Sequence, residues 1–275
     1  MKKYLLILAA AAFCFAACDK EGGNDSPSDG SIKSFKMSVM MAGKPHVIEE
    51  YYPTFSNGKL TKLVEKTYNN STWSAEGLPE GLYQSSESTC EFQWNESSKT
   101  ISGKFSEKYY NEETSKMEDG EGSDISGTFD ANNNITRIKA GYMENTYQYD
   151  GSQQLLKNEM NAYSISFTWA NGNISEETSY GGSVYKFEYG EANTSPRLGN
   201  LAMAIFVESD PFAVLGYCGV APKQLPVKSA IVTEGYTEKS VMTYEKDGSG
   251  RVVKITKSPE EVDTYSHIQV YEIEY

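Results

Sequence analysis

Between Phe129 and Tyr189 an aromatic residue returns at twenty-residue intervals, at Phe129, Tyr149, Trp169 and Tyr189, and each is followed by a turn-forming stretch. Twenty residues is the length of one β-hairpin, and self-similarity at a fixed period marks a repeated supersecondary unit. The local patterns agree. Cys90, Phe92 and Trp94 alternate with Glu91 and Gln93, Asn95 to Lys99 form a turn, and the alternation resumes at Ile101, Gly103 and Phe105. Ile125, Gly127 and Phe129 precede the turn Asp130 to Asn134, Tyr147 and Tyr149 precede Asp150-Gly151-Ser152, and Tyr163, Ile165, Phe167 and Trp169 precede Ala170 to Asn173. Tyr185, Phe187 and Tyr189 precede Gly190 to Asn193. Looser copies stand at Phe55 to Leu60 and at Met242 to Gly250. Gly, and to a lesser degree Asn and Asp, tolerate the positive φ such turns need.

A single hairpin is marginally stable in water, so the copies must pack side by side in one sheet. Their number predicts about a dozen strands, enough for the sheet to curl or close and so remove its exposed edges. The fold expected is all-β: an antiparallel meander of repeated hairpins forming a curled sheet or small barrel. No linker-like composition interrupts residues 34–275, which read as a single domain. One stretch breaks the pattern. From Leu198 to Val220 the chain is apolar without alternation and is split by Pro211. It reads as a short apolar or helical plug around 198–220, with helical turns at Leu201 to Val207 and Phe212 to Leu215, closing one end of the sheet. A flap over a ligand cavity is the other reading of the same stretch.

The first residues carry an address. Lys2 and Lys3 form a positive region, Leu5 to Ala12 an apolar run, and Phe15-Ala16-Ala17 end it with small residues before Cys18, the layout of a secretory signal over residues 1–17. The run is too short to span a bilayer as a mature helix. Phe15-Ala16-Ala17-Cys18 resembles a bacterial lipobox, with Phe where Leu is usual. The resemblance implies cleavage before Cys18 and acylation of that cysteine, which makes Cys18 the lipid-attachment residue and the membrane a partner through its acyl chains. Residues 18–33 are rich in Gly, Ser and Asp and read as a flexible tether. An acidic cluster just behind the cysteine resembles the export signal of Bacteroidetes surface lipoproteins; here Lys20-Glu21 is present and a second adjacent acid is not. That implies an outer-membrane lipoprotein, at the cell surface or on the periplasmic face.

Charge and composition narrow the function. The formal charge is −13, and loss of Lys2 and Lys3 with the signal makes it −15. A surface of that sign repels phosphate backbones, and no basic cluster offsets it, so nucleic acid is not expected as a partner. Cys14 leaves with the signal, and the folded part keeps Cys90 and Cys218, either a disulfide or two separate buried thiols. His46 and His267 each stand apart from any Ser-Gly elbow or acid pair that would make them a base. Glu118 to Asp124 is acidic but lacks the ligand spacing of a calcium loop and reads as a solvated hairpin tip. No catalytic residue, metal ligand or cofactor is expected, and the chain reads as a non-enzyme. Twenty tyrosines and three tryptophans suit carbohydrate stacking and protein interfaces as well as a half-buried sheet.

The lipobox, the acidic tether, the hairpins, the apolar interruption and the segment Pro222 to Ser229 together resemble a Bacteroidetes lipoprotein family classed as a domain of unknown function with a porin-like fold. The hairpins also resemble tyrosine-aspartate repeats of secreted shell proteins, which are more regular and more numerous. The first resemblance implies a fold and no site. A membrane-spanning barrel is not expected: apart from the last strand, Tyr271 to Tyr275, the apolar alternations are short and no clean lipid-facing band emerges. The leading functional expectation is a membrane-anchored ligand-binding lipoprotein of the envelope, with glycan or lipid as ligand. The alternative is a structural or assembly lipoprotein docking on an outer-membrane protein. An exposed aromatic row would favour glycan.

Overall fold

The computed structural model describes residues 32–41, 44–57, 59–68, 84–111, 113–161, 163–192, 217–261 and 268–275. The first nine strands are β1 (Ser34–Met41), β2 (Lys44–Ser56), β3 (Lys59–Tyr68), β4 (Gln84–Asn95), β5 (Thr100–Asn111), β6 (Lys116–Asp119), β7 (Ser123–Phe129), β8 (Ile135–Ala140) and β9 (Met143–Tyr149). Then come β10 (Leu155–Met160), β11 (Tyr163–Ala170), β12 (Asn173–Thr178), β13 (Val184–Ala192), β14 (Gln224–Thr233), β15 (Tyr236–Lys246), β16 (Val252–Pro259) and β17 (Ile268–Glu274). No helix occurs among the described residues.

All pairings are antiparallel and join neighbours in sequence, save that β5 pairs with β7 as well as β6 and that the first strand pairs with the last. Because β1 pairs with β17 as well as β2, the sheet closes. Sixteen strands make the barrel wall and β6 is an addition on the end of β5. The expected meander is therefore a fully closed barrel, with more strands than the dozen that the turns predicted. Return strands such as Ile135–Ala140 and Leu155–Met160 carry little alternation of their own. The strands are also longer than expected, with 13 residues in β2 and 12 in each of β4 and β5. Polar residues on both faces of their outer halves hide that length from a search for alternation.

One end of the barrel is built by a repeated device. Asp130 Oδ1 accepts from the amides of Asn132 and Asn134, Asp150 Oδ1 from those of Ser152 and Gln154, and Asp247 Oδ1 from those of Ser249 and Arg251. The fourth residue of each turn is left-handed, at Asn133 (φ 68), Gln153 (φ 65) and Gly250 (φ 79). The return strand then begins with a β-bulge, and an aromatic side chain on the next strand donates to the carbonyl just before the bulged residue. Trp94 Nε1 donates to Leu60 (2.7 Å), Tyr149 Oη to Ile135 (2.7 Å), Trp169 Nε1 to Leu155 (2.8 Å), Tyr189 Oη to Ile174 (2.7 Å) and Tyr275 Oη to Val252 (3.0 Å). Tyr244 Oη caps Pro226 in the same way. Bulges at these points follow from the register steps between paired strands.

These aromatics rim an apolar interior in which Leu60, Leu63, Ile138, Leu155 and Ile255 are essentially inaccessible. Residues 217–223 run across three of the turns. The Tyr217 carbonyl accepts from the Ile135 amide (3.2 Å), the Val220 amide donates to Gln153 (2.8 Å) and the Lys223 amide to Gly172 (3.0 Å). Tyr217 and Cys218 are buried, and Tyr217 stacks on Trp94 at 6.4 Å. The last part of the expected plug thus closes this end without helix, while 198–216, including both expected helical turns, lie outside the described residues. Both ends of the described chain are here too: the Lys33 amide donates to the Glu274 carbonyl at 2.7 Å.

The outer wall is polar. Along one row the residues opposite one another are Asp119, Lys108, Glu87, Lys66, Glu50, Lys36, Glu272, Lys254 and Glu245, nine strands of alternating charge. Asp124, Lys104, Glu91 and Lys62 form a second row. Opposite charges across a ladder stabilise the register by roughly 0.2–1 kcal/mol per pair. A lipid-facing wall needs an apolar band in place of these rows.

Candidate functional site

Towards the other end the interior changes character. Directly opposed residues share a face, so the pairing of buried Leu63 with buried Cys90 carries inward the next pairs along, Glu65 with Ser88 and Thr67 with Ser86. Glu49 faces Thr67, Tyr51 faces Glu65, and Glu107 faces Ser88. Across the remaining strands Asn145, Asn158, Glu177, Ser229 and Ser240 are inward and buried. Lys257 opposes inward Met242 and supplies a positive charge. One half of the barrel is filled with hydrocarbon and aromatic rings, and the other is lined by hydroxyls, amides and carboxylates.

Glu65 is the most demanding of these. It is 1 % exposed, and neither carboxylate oxygen accepts a hydrogen bond. Burial pushes its carboxyl well above the usual range, Glu49 and Glu107 push it the same way, and the Tyr51 hydroxyl opposes them weakly. That hydroxyl donates to Glu49 at 3.0 Å. Asn145 Oδ1 is likewise buried without a donor, although its amide nitrogen reaches Tyr147 Oη at 3.3 Å. Buried polar atoms are ordinarily paired, so unpaired acceptors on an inner wall mark a place where donors are wanted.

Above this polar half, four successive hairpin turns each carry an exposed tyrosine. Tyr142 lies between β8 and β9, Tyr163 follows the turn after β10, Tyr180 lies between β12 and β13, and Tyr236 follows the turn after β14. Tyr142, Tyr180 and Tyr236 are 70, 62 and 53 % exposed. Tyr163 and Tyr180 meet edge to face with ring centroids 4.4 Å apart. Successive turns lie two strands apart, about 10 Å along the rim. The tyrosines therefore divide by position, capping carbonyls at one end and standing exposed at the other. The sequence reading missed this row. Its signal is a tyrosine beside a turn glycine, in Gly141-Tyr142, Tyr180-Gly181 and Gly235-Tyr236.

The other singled-out residues are scattered. Cys18 and His267 lie outside the described residues, and His46 stands in β2 near its first turn. Cys90 and Cys218 are both buried and not joined. Burial pushes the Cys90 thiol far up, and ionisation of Glu65 would push it the same way. The acidic stretch is part of β6 and β7 with a short link. Glu118 accepts from Asn111 Nδ2 (3.0 Å) and Thr114 Oγ1 (2.7 Å), and Asp124 pairs with Lys104. No group of three His, Cys, Asp or Glu among the described residues is arranged to hold a metal ion.

Among solved structures, a porin-like protein from Bacteroides uniformis superposes with a TM-score of 0.59 at 14 % identity, over 88 % of this chain and 98 % of that one. The fold is porin-like. No family model and no curated protein matches the sequence. A protein of unknown function from Bacteroides fragilis aligns over 50 % of this chain at 15 % identity with a TM-score of 0.26. The likeness is to a porin-like protein and not to an enzyme. This porin-like barrel nevertheless turns its charged rows outward and its apolar residues inward, the reverse of a lipid-spanning wall.

Proposed function

We propose that this chain is a membrane-anchored glycan-binding lipoprotein of the Bacteroidetes envelope, of the porin-like lipoprotein family that its sequence resembles. The observation that carries the reading is the row of exposed tyrosines on four successive turns at one end of the barrel. Tyrosine faces stack on sugar rings while their hydroxyls stay wet, and tyrosines carried on successive turns about 10 Å apart suit an extended saccharide better than a compact lipid. The lipid expectation is the weaker, because the apolar half of the interior is filled by its own side chains.

The described chain begins at the end opposite the row. Ile32 and Lys33 enter the barrel beside Glu274 at the carbonyl-capped end, so a tether from acylated Cys18 would present the tyrosines away from the bilayer. A Cys18→Ala chain should lose fatty-acid labelling and membrane association, and retained labelling would remove the anchor from the proposal. Glycan binding is tested by calorimetry on the full-length chain in detergent against a panel of neutral oligosaccharides. Alanine at Tyr142, Tyr180 and Tyr236 together should weaken binding by at least about tenfold, or about 1.4 kcal/mol, with the melting temperature unchanged. Unchanged affinity, or no binding by any saccharide, would transfer the weight to an assembly role with a protein partner.

A further inference from the structure

We infer that the acidic interior of the barrel, centred on Glu65, receives a primary ammonium group carried by the ligand that the tyrosine-bearing end admits. This rests on the glycan-binding reading and narrows it to amine-bearing sugars.

The inward-facing charges of this half are unbalanced. Glu49, Glu65, Glu107, Glu177 and Glu238 face inward on five strands, against Lys257 and the imidazole of His46, which pairs with inward Val39. An interior wall carrying mostly one sign of charge in a low-dielectric surround favours ions of the other sign. Glu65 adds what a set of acidic residues alone lacks, two buried oxygens that accept no hydrogen bond, and Asn145 Oδ1 is a further acceptor in the same condition. The groups facing Glu65 from the strands packed against it are Glu49 and Tyr51 on β2, Ser88 and Cys90 on β4 and Glu107 on β5. None of these is a cation.

The chemistry of the missing donor follows. The carboxylates are spread over different strands, and no three of them are arranged around one metal-sized point among the described residues. An ammonium group needs no such convergence: it carries three donors on one tetrahedral nitrogen and a full charge. Burial, reinforced by Glu49 and Glu107, keeps Glu65 protonated when no cation is present. Entry of an ammonium ion favours the carboxylate, and the proton of Glu65 leaves to solvent.

Calorimetry on the full-length chain in detergent compares glucosamine, glucose and calcium chloride, each in two buffers of different ionisation enthalpy. Glucosamine should bind at least about tenfold more tightly than glucose, with release of up to one proton per site. Glu65→Gln should abolish both the preference and the proton release while the protein still melts cooperatively. Glu107→Gln, farther from the buried oxygens, should weaken the preference several-fold and so tests the idea if Glu65→Gln fails to fold. Equal affinity for glucose and glucosamine would overturn the inference and leave the glycan reading standing. Calcium binding that Glu65→Gln removes would overturn it in favour of a metal. Failure of every saccharide to bind would overturn both.

Discussion

The hydroxyl of Tyr149 donates to the main-chain carbonyl of Ile135 at 2.7 Å, at the point where Thr136 bulges out of the β8 ladder. A bulge leaves ladder groups unmatched, and a buried carbonyl without a donor is costly. The same solution recurs at Trp94, Trp169, Tyr189, Tyr244 and Tyr275. Burial raises the phenol pKa of Tyr189 and of Tyr244, so each holds its donor proton throughout the physiological range. The aromatic period in the sequence is therefore a period of carbonyl caps as well as of core rings.

Removing one cap while keeping the ring isolates its worth. Tyr149→Phe and Tyr189→Phe should each destabilise the barrel by about 1–2 kcal/mol in urea unfolding, because the ring stays and the carbonyl is orphaned. Tyr142→Phe, on the exposed row, should change stability by less than about 0.5 kcal/mol. Equal effects at all three positions would show that the hydroxyls do not cap.

Glu65 should make stability fall as pH rises. Its carboxyl ionises in the unfolded chain near the ordinary 4.5 and in the barrel well above it. Below the lower value both states hold the proton. Between the two, the unfolded chain gives it up first, and stability drops by about 1.4 kcal/mol per pH unit. Glu50 works in the other direction. Burial raises its pKa, but bonds from Tyr68 and Tyr52 and the charge of Lys36 outweigh that and lower it, so its contribution is lost as pH falls below the carboxylate range. The difference between the native chain and Glu65→Gln cancels Glu50 and similar groups. The variant should match the native chain near pH 4 and exceed it by roughly 1–3 kcal/mol at neutral pH. A difference that does not vary with pH would remove the buried-acid assignment.

Gly103 of β5 pairs with Phe92, tight against the β4 main chain. A Cβ there would lie 1.9 Å from the Glu91 carbonyl oxygen, a contact only main-chain movement can relieve. Gly103→Ala should cost at least about 3 kcal/mol or prevent folding. Gly151→Ala, with nothing within 4 Å of its Cβ, should be tolerated. Thermal unfolding of the pair is the check, and a stable Gly103→Ala would mean that these strands are farther apart.

The two thiols offer a test of packing. Cys90 and Cys218 are buried, and burial keeps the Cys90 thiol protonated. Neither should react with a water-soluble disulfide reagent in the native protein, and both should react in urea. Rapid labelling of native protein, or absence of labelling after unfolding without reductant, would contradict two buried, unlinked cysteines.

Much of the barrel is legible from the chain because its signals are local. An Asp whose carboxylate takes two amides of its own turn, a left-handed residue three places on, and an aromatic every twentieth position act over a few residues, and Asp130, Asp150 and Asp247 show them in plain order. All-β class, hairpin units and the inward direction of Phe92, Phe129 and Phe167 were determined by the sequence alone. The tertiary structure decided the rest. Closure of β1 onto β17 joins residues at opposite ends of the chain, and no local pattern reports it. Glu65 reads as one of 38 acidic residues until Tyr51 and Ser88 are set beside it by pairing. Tyr142 and Tyr149 look alike in sequence, yet one stands at an exposed turn and the other seals a carbonyl, because the pairing of neighbouring strands decides which carbonyl each ring meets.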